Sequence, residues 1–282
     1  MEEKATMFGK VSNRDSRSKE ALLKEAVETA KKADVVVLAI GETAELSGES
    51  SSRANIEIPQ AQKDLLAELK KTGKPIVMVL FTGRPLVLND ENKQADAIVN
   101  AWFAGSEAGY AIADVLYGKV NPSGKLPMTF PRSVGQVPIY YNAKNTGRPL
   151  SDDKSDKCEF EKFRSNYIDE YVELSKTQLS GNDQLTVSIT LTNNGKYDGN
   201  EVVQLYIRDM VGSVTRPVKE LKGFQKVFLK AGESKKVSFT ITPEDLKFYN
   251  SELKYDWEAG EFDIMIGTNS HDVKHAKINW NK

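Results

Sequence analysis

The sequence predicts a parallel α/β domain followed by an all-β sandwich. Three observations carry this expectation. Up to about residue 118, amphipathic helical stripes alternate with short β-branched runs, as a βα repeat requires. From Leu185 onward, short alternating strands are punctuated by turn residues. Between them, residues 119–182 lose both periods and hold Pro122, Pro127, Pro131, Pro138 and Pro149, half of the chain's 10 prolines. A chain of 282 residues is long enough for two domains at about 150 residues each.

The elements follow in order. Over residues 18–32, Leu22, Leu23, Ala26, Val27 and Ala30 share one helical face, and Ser18 is placed to cap it. Val35 to Ile40 is a continuous apolar run of the kind buried on both faces of a parallel sheet. A polar loop spans Gly41 to Ile58. Pro59 can open the next helix at its first position, with Leu65, Leu66 and Leu69 facing inward and Gly73 as its stop. Ile76–Phe81 and Ala97–Phe103 read as further strands, and Gly105–Leu116 as a third helix ended by Gly118. An average sheet has roughly 5 to 6 strands, and only three strong ones are read here. The expectation is therefore a domain whose first part lies upstream of Met1.

In the second half, Leu185, Val187, Ile189 and Leu191 alternate onto one face, and Asn193-Asn194-Gly195 is a turn. Val202–Ile207, Val218–Val227, Lys236–Ile241 and Glu261–Ile266 are the other strand candidates. Their spacing fits a sandwich of immunoglobulin-like size. The expected division is 1–150 for the α/β domain, 151–182 for a linker rich in charge at Asp152–Glu161, and 183–282 for the β-sandwich.

Composition excludes several functions. Lys plus Arg is 39 and Asp plus Glu is 40, a net charge of -1. That balance argues against nucleic acid as the main partner. No apolar run reaches the roughly 18 to 20 residues that span a bilayer, and Met1–Lys10 carries no apolar signal core. The single cysteine, Cys158, allows no internal disulfide, and two histidines, His271 and His275, cannot make a His-rich metal site. A Walker-type phosphate loop, GxGxxG, HExxH, CxxC and GxSxG are all missing, which removes a phosphate cradle, a zincin and a nucleophile elbow.

In open α/β sheets, ligands lie beyond the C-terminal ends of the strands. The loop there, Gly41 to Arg53, holds three carboxylates, five hydroxyls and one arginine in 13 residues. A carboxyl on such a loop suits glycoside hydrolysis. That reaction uses one carboxyl as acid and a second as nucleophile or base, about 5 to 5.5 Å apart in retaining enzymes. Composition does not choose among Glu42, Glu45 and Glu49, and a solvated acidic loop is the bland alternative. Trp102 and Phe103 read as core packing at a strand end.

These residues carry a resemblance. Ala33–Val37, Gly41-Glu42, Gly48–Arg53 and Ile58–Gln60 resemble the C-terminal α/β sandwich domain of family 3 glycoside hydrolases, the bacterial periplasmic-type β-glucosidases in particular. The likeness continues through Gly73–Pro75, Gly83–Pro85, Ala101–Gly105, Ala113–Gly118, Asn121–Pro127, Phe130–Gln136 and Asn145–Pro149. Arg216–Phe224 resembles the fibronectin type III-like domain that follows in these enzymes. The Pro-Phe-Gly-x-Gly-Leu-Ser-Tyr run that normally precedes that domain is missing; Ser165–Glu170 passes straight into Tyr171–Ser175.

The resemblance implies an acid/base glutamate in an E-x-S-S-R segment, which falls on Glu49, with Arg53 orienting the loop or contacting sugar. Glu42, directly after the strand, reads as structural. It implies a β-glucoside or oligosaccharide substrate, no cofactor, a periplasmic or secreted location, and a nucleophilic aspartate in an N-terminal (β/α)8 barrel. The expectation is a retaining exo-β-glucosidase portion that is inactive without that barrel. The rival is a non-catalytic protein of the same two domains that binds a glycan or a partner.

Overall fold

The computed structural model describes residues 17–144 and 168–282. They form two compact units, one of residues 17–113 and 128–138, the other of 114–127, 139–144 and 168–282. The first unit contains α1 (Lys19–Lys32), β1 (Val36–Gly41), α2 (Gln60–Lys70), β2 (Ile76–Phe81), α3 (Asn89–Gln94) and β3 (Ala97–Asn100), and α4 (Ala108–Leu116) begins in it. The strands lie in the order β1-β2-β3, all parallel.

Local chemistry explains each element. The Ser18 hydroxyl accepts from the Ala21 N–H at 3.2 Å and caps α1, while Lys31 and Lys32 complement its C-terminal dipole. Pro59 stands one position earlier than expected, as the residue before α2. Leu38 and Ile40 of β1 join Ile76, Met78 and Leu80 of β2 and Ala30, Leu66 and Leu69 of the helices in one buried cluster. β1 is not buried on both faces, as its composition led one to expect. Val35 and Val37 are 47% and 53% exposed, and no residue of α4 is buried. The third strand stops at Asn100 rather than Phe103, because Trp102 takes φ +53° and turns its ring onto Phe130, with centroids 6.0 Å apart. α3 (NDENKQ) has no apolar stripe to announce it.

The second unit contains β4 (Ile168–Leu174), β5 (Gln178–Ser180), β6 (Leu185–Thr192), β7 (Gly199–Asp209), β8 (Glu220–Leu229), β9 (Ser234–Ile241), α5 (Pro243–Leu246), β10 (Phe248–Tyr249), β11 (Tyr255–Asp256), β12 (Gly260–Gly267) and β13 (Val273–Asn281). A five-stranded sheet, β5-β13-β12-β7-β8, faces a three-stranded sheet, β4-β6-β9. Inward residues alternate along both sheets. Val187, Ile189 and Leu191 meet Val203, Leu205, Ile207, Ile264 and Ile266 in one core. Each such aliphatic side chain contributes about 1.5–3 kcal/mol on burial. Trp280 is fully buried, and its indole N–H donates to the Gly181 carbonyl at 3.1 Å.

Two strands fall where a linker was expected. β4 and β5 lie within 151–182 and pair with β6 and β13. Asp169, Glu170 and Glu173 hide the alternation of β4, yet Val172 and Leu174 pack on the core. The Asp152–Glu161 stretch, Cys158 and the Asn145–Pro149 run lie outside the described residues. Segment 139–144 belongs with the β unit, where the Val218 N–H donates to Ala143 O at 2.9 Å and the Tyr141 ring meets Tyr206. No helix among the described residues is long and apolar enough to cross a membrane.

Candidate active site

The loops at the C-terminal ends of β1 and β2 build the site. Gly41 ends β1 at φ +138°, and a Cβ there would stand 1.8 Å from Phe81 O, so only glycine fits. Gln62 of α2 pins this residue. Its side-chain oxygen accepts from the Gly41 N–H at 2.8 Å and its amide donates to Gly41 O at 3.1 Å. The Glu42 N–H donates to Phe81 O at 2.8 Å, which carries the chain one step past the strand.

Glu42 is buried, and its carboxylate is surrounded by donors. Arg53 Nη1 donates to Oε1 at 2.7 Å, and Arg84 Nε stands 3.2 Å from the same oxygen as an ion-pair contact out of hydrogen-bond alignment. Oε2 accepts from the Thr82 hydroxyl at 2.8 Å and the Gly83 N–H at 3.2 Å. Burial alone would raise this carboxyl's pKa. The hydrogen bonds from Arg53, Thr82 and Gly83, with the charge of Arg84, outweigh burial and hold it below the usual carboxylate range.

The segment between Glu42 and Arg53 is tied at several points. Arg84 Nη2 donates to Leu46 O at 2.9 Å. Ser47 sits over Gly83, whose missing Cβ leaves room for the Ser47 hydroxyl and the Phe103 ring edge. The Ser51 N–H donates to Gly48 O at 3.1 Å, closing a turn whose central residues are Glu49 and Ser50. Ser50 takes φ +60°, a conformation that costs a non-glycine residue about 1–3 kcal/mol and persists where surroundings impose it. The Ser51 hydroxyl adds a bond to Glu45 O at 3.0 Å.

Glu49 therefore stands exposed at the tip of a braced turn, and no hydrogen bond or ion pair holds its carboxylate among the described residues. Arg53 is different. Its side chain is 15% exposed, Nη1 meets Glu42, and Nη2 donates to Glu57 O at 2.7 Å. Glu45 is exposed and contributes its carbonyl. The structure brings Glu42 and Arg53 together and leaves the Glu49 carboxylate outside that cluster. Thr82, Gly83 and Arg84 went unnoticed as site residues in the sequence. The signal was available, since they follow the second parallel strand at the same edge of the sheet.

Comparison with known proteins matches the chain to a family. The family model for the glycosyl hydrolase family 3 C-terminal domain matches residues 4–171, and that for a fibronectin type III-like domain matches residues 201–270. A periplasmic β-glucosidase of Salmonella typhimurium is 49% identical, over 94% of this chain and 36% of its own length. A β-xylosidase of Formosa agariphila is 40% identical, over 96% of this chain and 39% of its own. The crystal structure of a Listeria innocua β-glucosidase in complex with gluconolactone superposes with TM-score 0.81 at 37% identity, over 98% of this chain and 40% of that one. The chain thus spans between a third and two fifths of the length of these relatives. With that match over more than half its residues, on the parallel sheet and loop just described, the chain belongs to the glycosyl hydrolase family 3 C-terminal domain family.

Proposed function

We propose that the chain supplies the acid/base half of a retaining exo-β-glucosidase, with Glu49 as the acid/base. The observation that carries this reading is the Glu49 carboxylate, unbonded among the described residues, at the tip of a turn whose backbone is braced. Glu49 protonates the leaving glycosidic oxygen and then takes a proton from the incoming water. The nucleophile comes from an N-terminal (β/α)8 barrel, and an aspartate there attacks the anomeric carbon. Substrates are terminal non-reducing β-D-glucosyl residues. The names of the Salmonella and Listeria relatives support the sugar class, and the former also supports a periplasmic location.

The test joins this chain in frame to the N-terminal part of the Salmonella relative and follows hydrolysis of an aryl β-D-glucoside. Glu49→Gln is expected to slow turnover by about 10²–10⁴-fold on a substrate with a poor leaving group. The chain without the added part is expected to be inactive. Sugar binding with no turnover in either form would favour the non-catalytic glycan-binding reading.

A further inference from the structure

Glu42 anchors two arginines, and each of them uses a second nitrogen on the loop backbone. Arg53 reaches Glu42 through Nη1 and Glu57 O through Nη2. Arg84 reaches Glu42 through Nε, at 3.2 Å, and Leu46 O through Nη2. One buried carboxylate therefore ties down the start of the loop, its middle and its end. Between the last two of these fixed points lie residues 47–52, and Ser51 folds most of them into the turn that carries Glu49.

We propose that Glu42 is a positioning residue that, through Arg53 and Arg84, fixes the backbone on which Glu49 stands. This rests on the reading of Glu49 as acid/base. A buried ion pair is a poor source of stability, because desolvation cancels most of its attraction, but it does impose geometry. Proton transfer demands geometry, since a catalytic group displaced by about 1 Å loses about 10²-fold in rate. The same arrangement reassigns Arg53. With both terminal nitrogens engaged inside the protein, it acts on the loop and not on the sugar.

Amide hydrogen exchange of the full chain tests the clamp. Glu42→Gln keeps the shape but removes the charge that holds both arginines. Exchange in residues 43–53 is expected to rise about ten-fold or more beyond any rise in β2, which keeps measurable protection. Glu49→Gln should leave the exchange of that segment alone. Unchanged exchange in 43–53, in a Glu42→Gln chain whose β2 remains protected, overturns the proposal. If Glu42→Gln loses β2 protection as well, Arg84→Met replaces it, because it removes the Leu46 brace and keeps the Glu42–Arg53 pair. Faster exchange around Leu46 then supports the clamp, and no change overturns it.

Turnover by the joined protein gives a signature that simple loss of folding lacks. Glu42→Gln should cut kcat/KM by about 10²-fold on an alkyl β-glucoside, whose departure needs a well-placed acid. On a dinitrophenyl β-glucoside, whose departure does not, the loss in kcat/KM should stay below about ten-fold. Equal losses on the two substrates overturn the positioning role. Failure of the underlying reading looks different: Glu49→Gln would then show no dependence on leaving group, while the exchange result on Glu42→Gln would stand unaltered.

Discussion

Each unit buries a carboxylate beside an arginine, and the two carboxylates respond in opposite ways. Glu42 in the α/β unit has both oxygens in contact with donors, and its pKa is lowered despite burial. Asp209 in the β unit is buried too. Its Oδ1 accepts from the Val211 N–H at 3.2 Å, but Oδ2 faces Arg216 Nε across 3.9 Å, and neither of those atoms has a hydrogen bond among the described residues. Arg216 is engaged elsewhere, stacked 4.0 Å over the Phe248 ring and donating to Glu220 at 2.7 Å. Burial, only partly offset by Val211 and Arg216, pushes the Asp209 carboxyl up. An arginine nearby is therefore not enough to offset the burial of a carboxylate. Aligned donors at the oxygens lower the pKa at Glu42, and at Asp209 the like charges of Glu258 and Glu220 add to burial in raising it.

This contrast can be broken by substitution. The largest effect is expected from Glu42→Ala, which leaves Arg53 and Arg84 facing each other without their counter-ion. Removing one partner of a buried ion pair costs about 3–5 kcal/mol. Denaturant unfolding followed through β2 amide exchange would read it, and a loss below 1 kcal/mol on that measurement contradicts the account. Next is Glu42→Gln, which keeps two acceptor and donor sites but loses charge assistance. Hydrogen bonds to charged groups contribute about 1.5–3 kcal/mol, and a loss in that range should appear in the same unfolding experiment. Smallest is Asp209→Asn, expected to change stability by less than about 1 kcal/mol, because the charge it removes is poorly compensated. A calorimetric loss as large as that of Glu42→Gln would mean that Oδ2 has a partner.

The pH dependence sharpens the same comparison. Glu42 has a lowered folded-state pKa. Its contribution is present above the ordinary glutamate value of about 4.3 and is lost as pH falls through the lower folded value. Asp209 has a raised folded-state pKa. The folded form then holds the extra proton, so stability falls as pH rises from the ordinary aspartate value of about 3.9 through the higher folded one. Unit-resolved hydrogen exchange over this acid range should give opposite contributions from the two groups. Asp209→Asn should remove the falling component in the β unit and leave the α/β unit untouched.

Much of the architecture was legible in the chain. Val35–Ile40 and Ile76–Phe81 announce strands because buried parallel strands need continuous apolar runs, and both run parallel at neighbouring positions in the sheet. β13 went unread, since Lys274, His275, Lys277 and Asn279 on its exposed positions outnumber Ala276, Ile278 and Trp280 on the others. Its pairing with β12, a nonlocal event, makes it a strand. α3 was invisible for a related reason. Its six residues are polar, and its one buried side chain is Glu91.

The polar loop was equally plain in the sequence, and so was the glutamate directly after β1. Its composition alone could not rank Glu42, Glu45 and Glu49. Hydrophobic periodicity is local, so residue order by itself determined the two kinds of domain, their order along the chain, and the loop where polar chemistry concentrates. The partners of a buried charge come from distant parts of the chain. Folding alone decided that Arg84, 42 positions from Glu42, would join Arg53 on one carboxylate. Only the parallel register of β1 and β2 puts Thr82 and Gly83 beside Glu42, and so distinguishes a buried anchor from the exposed carboxylate of Glu49.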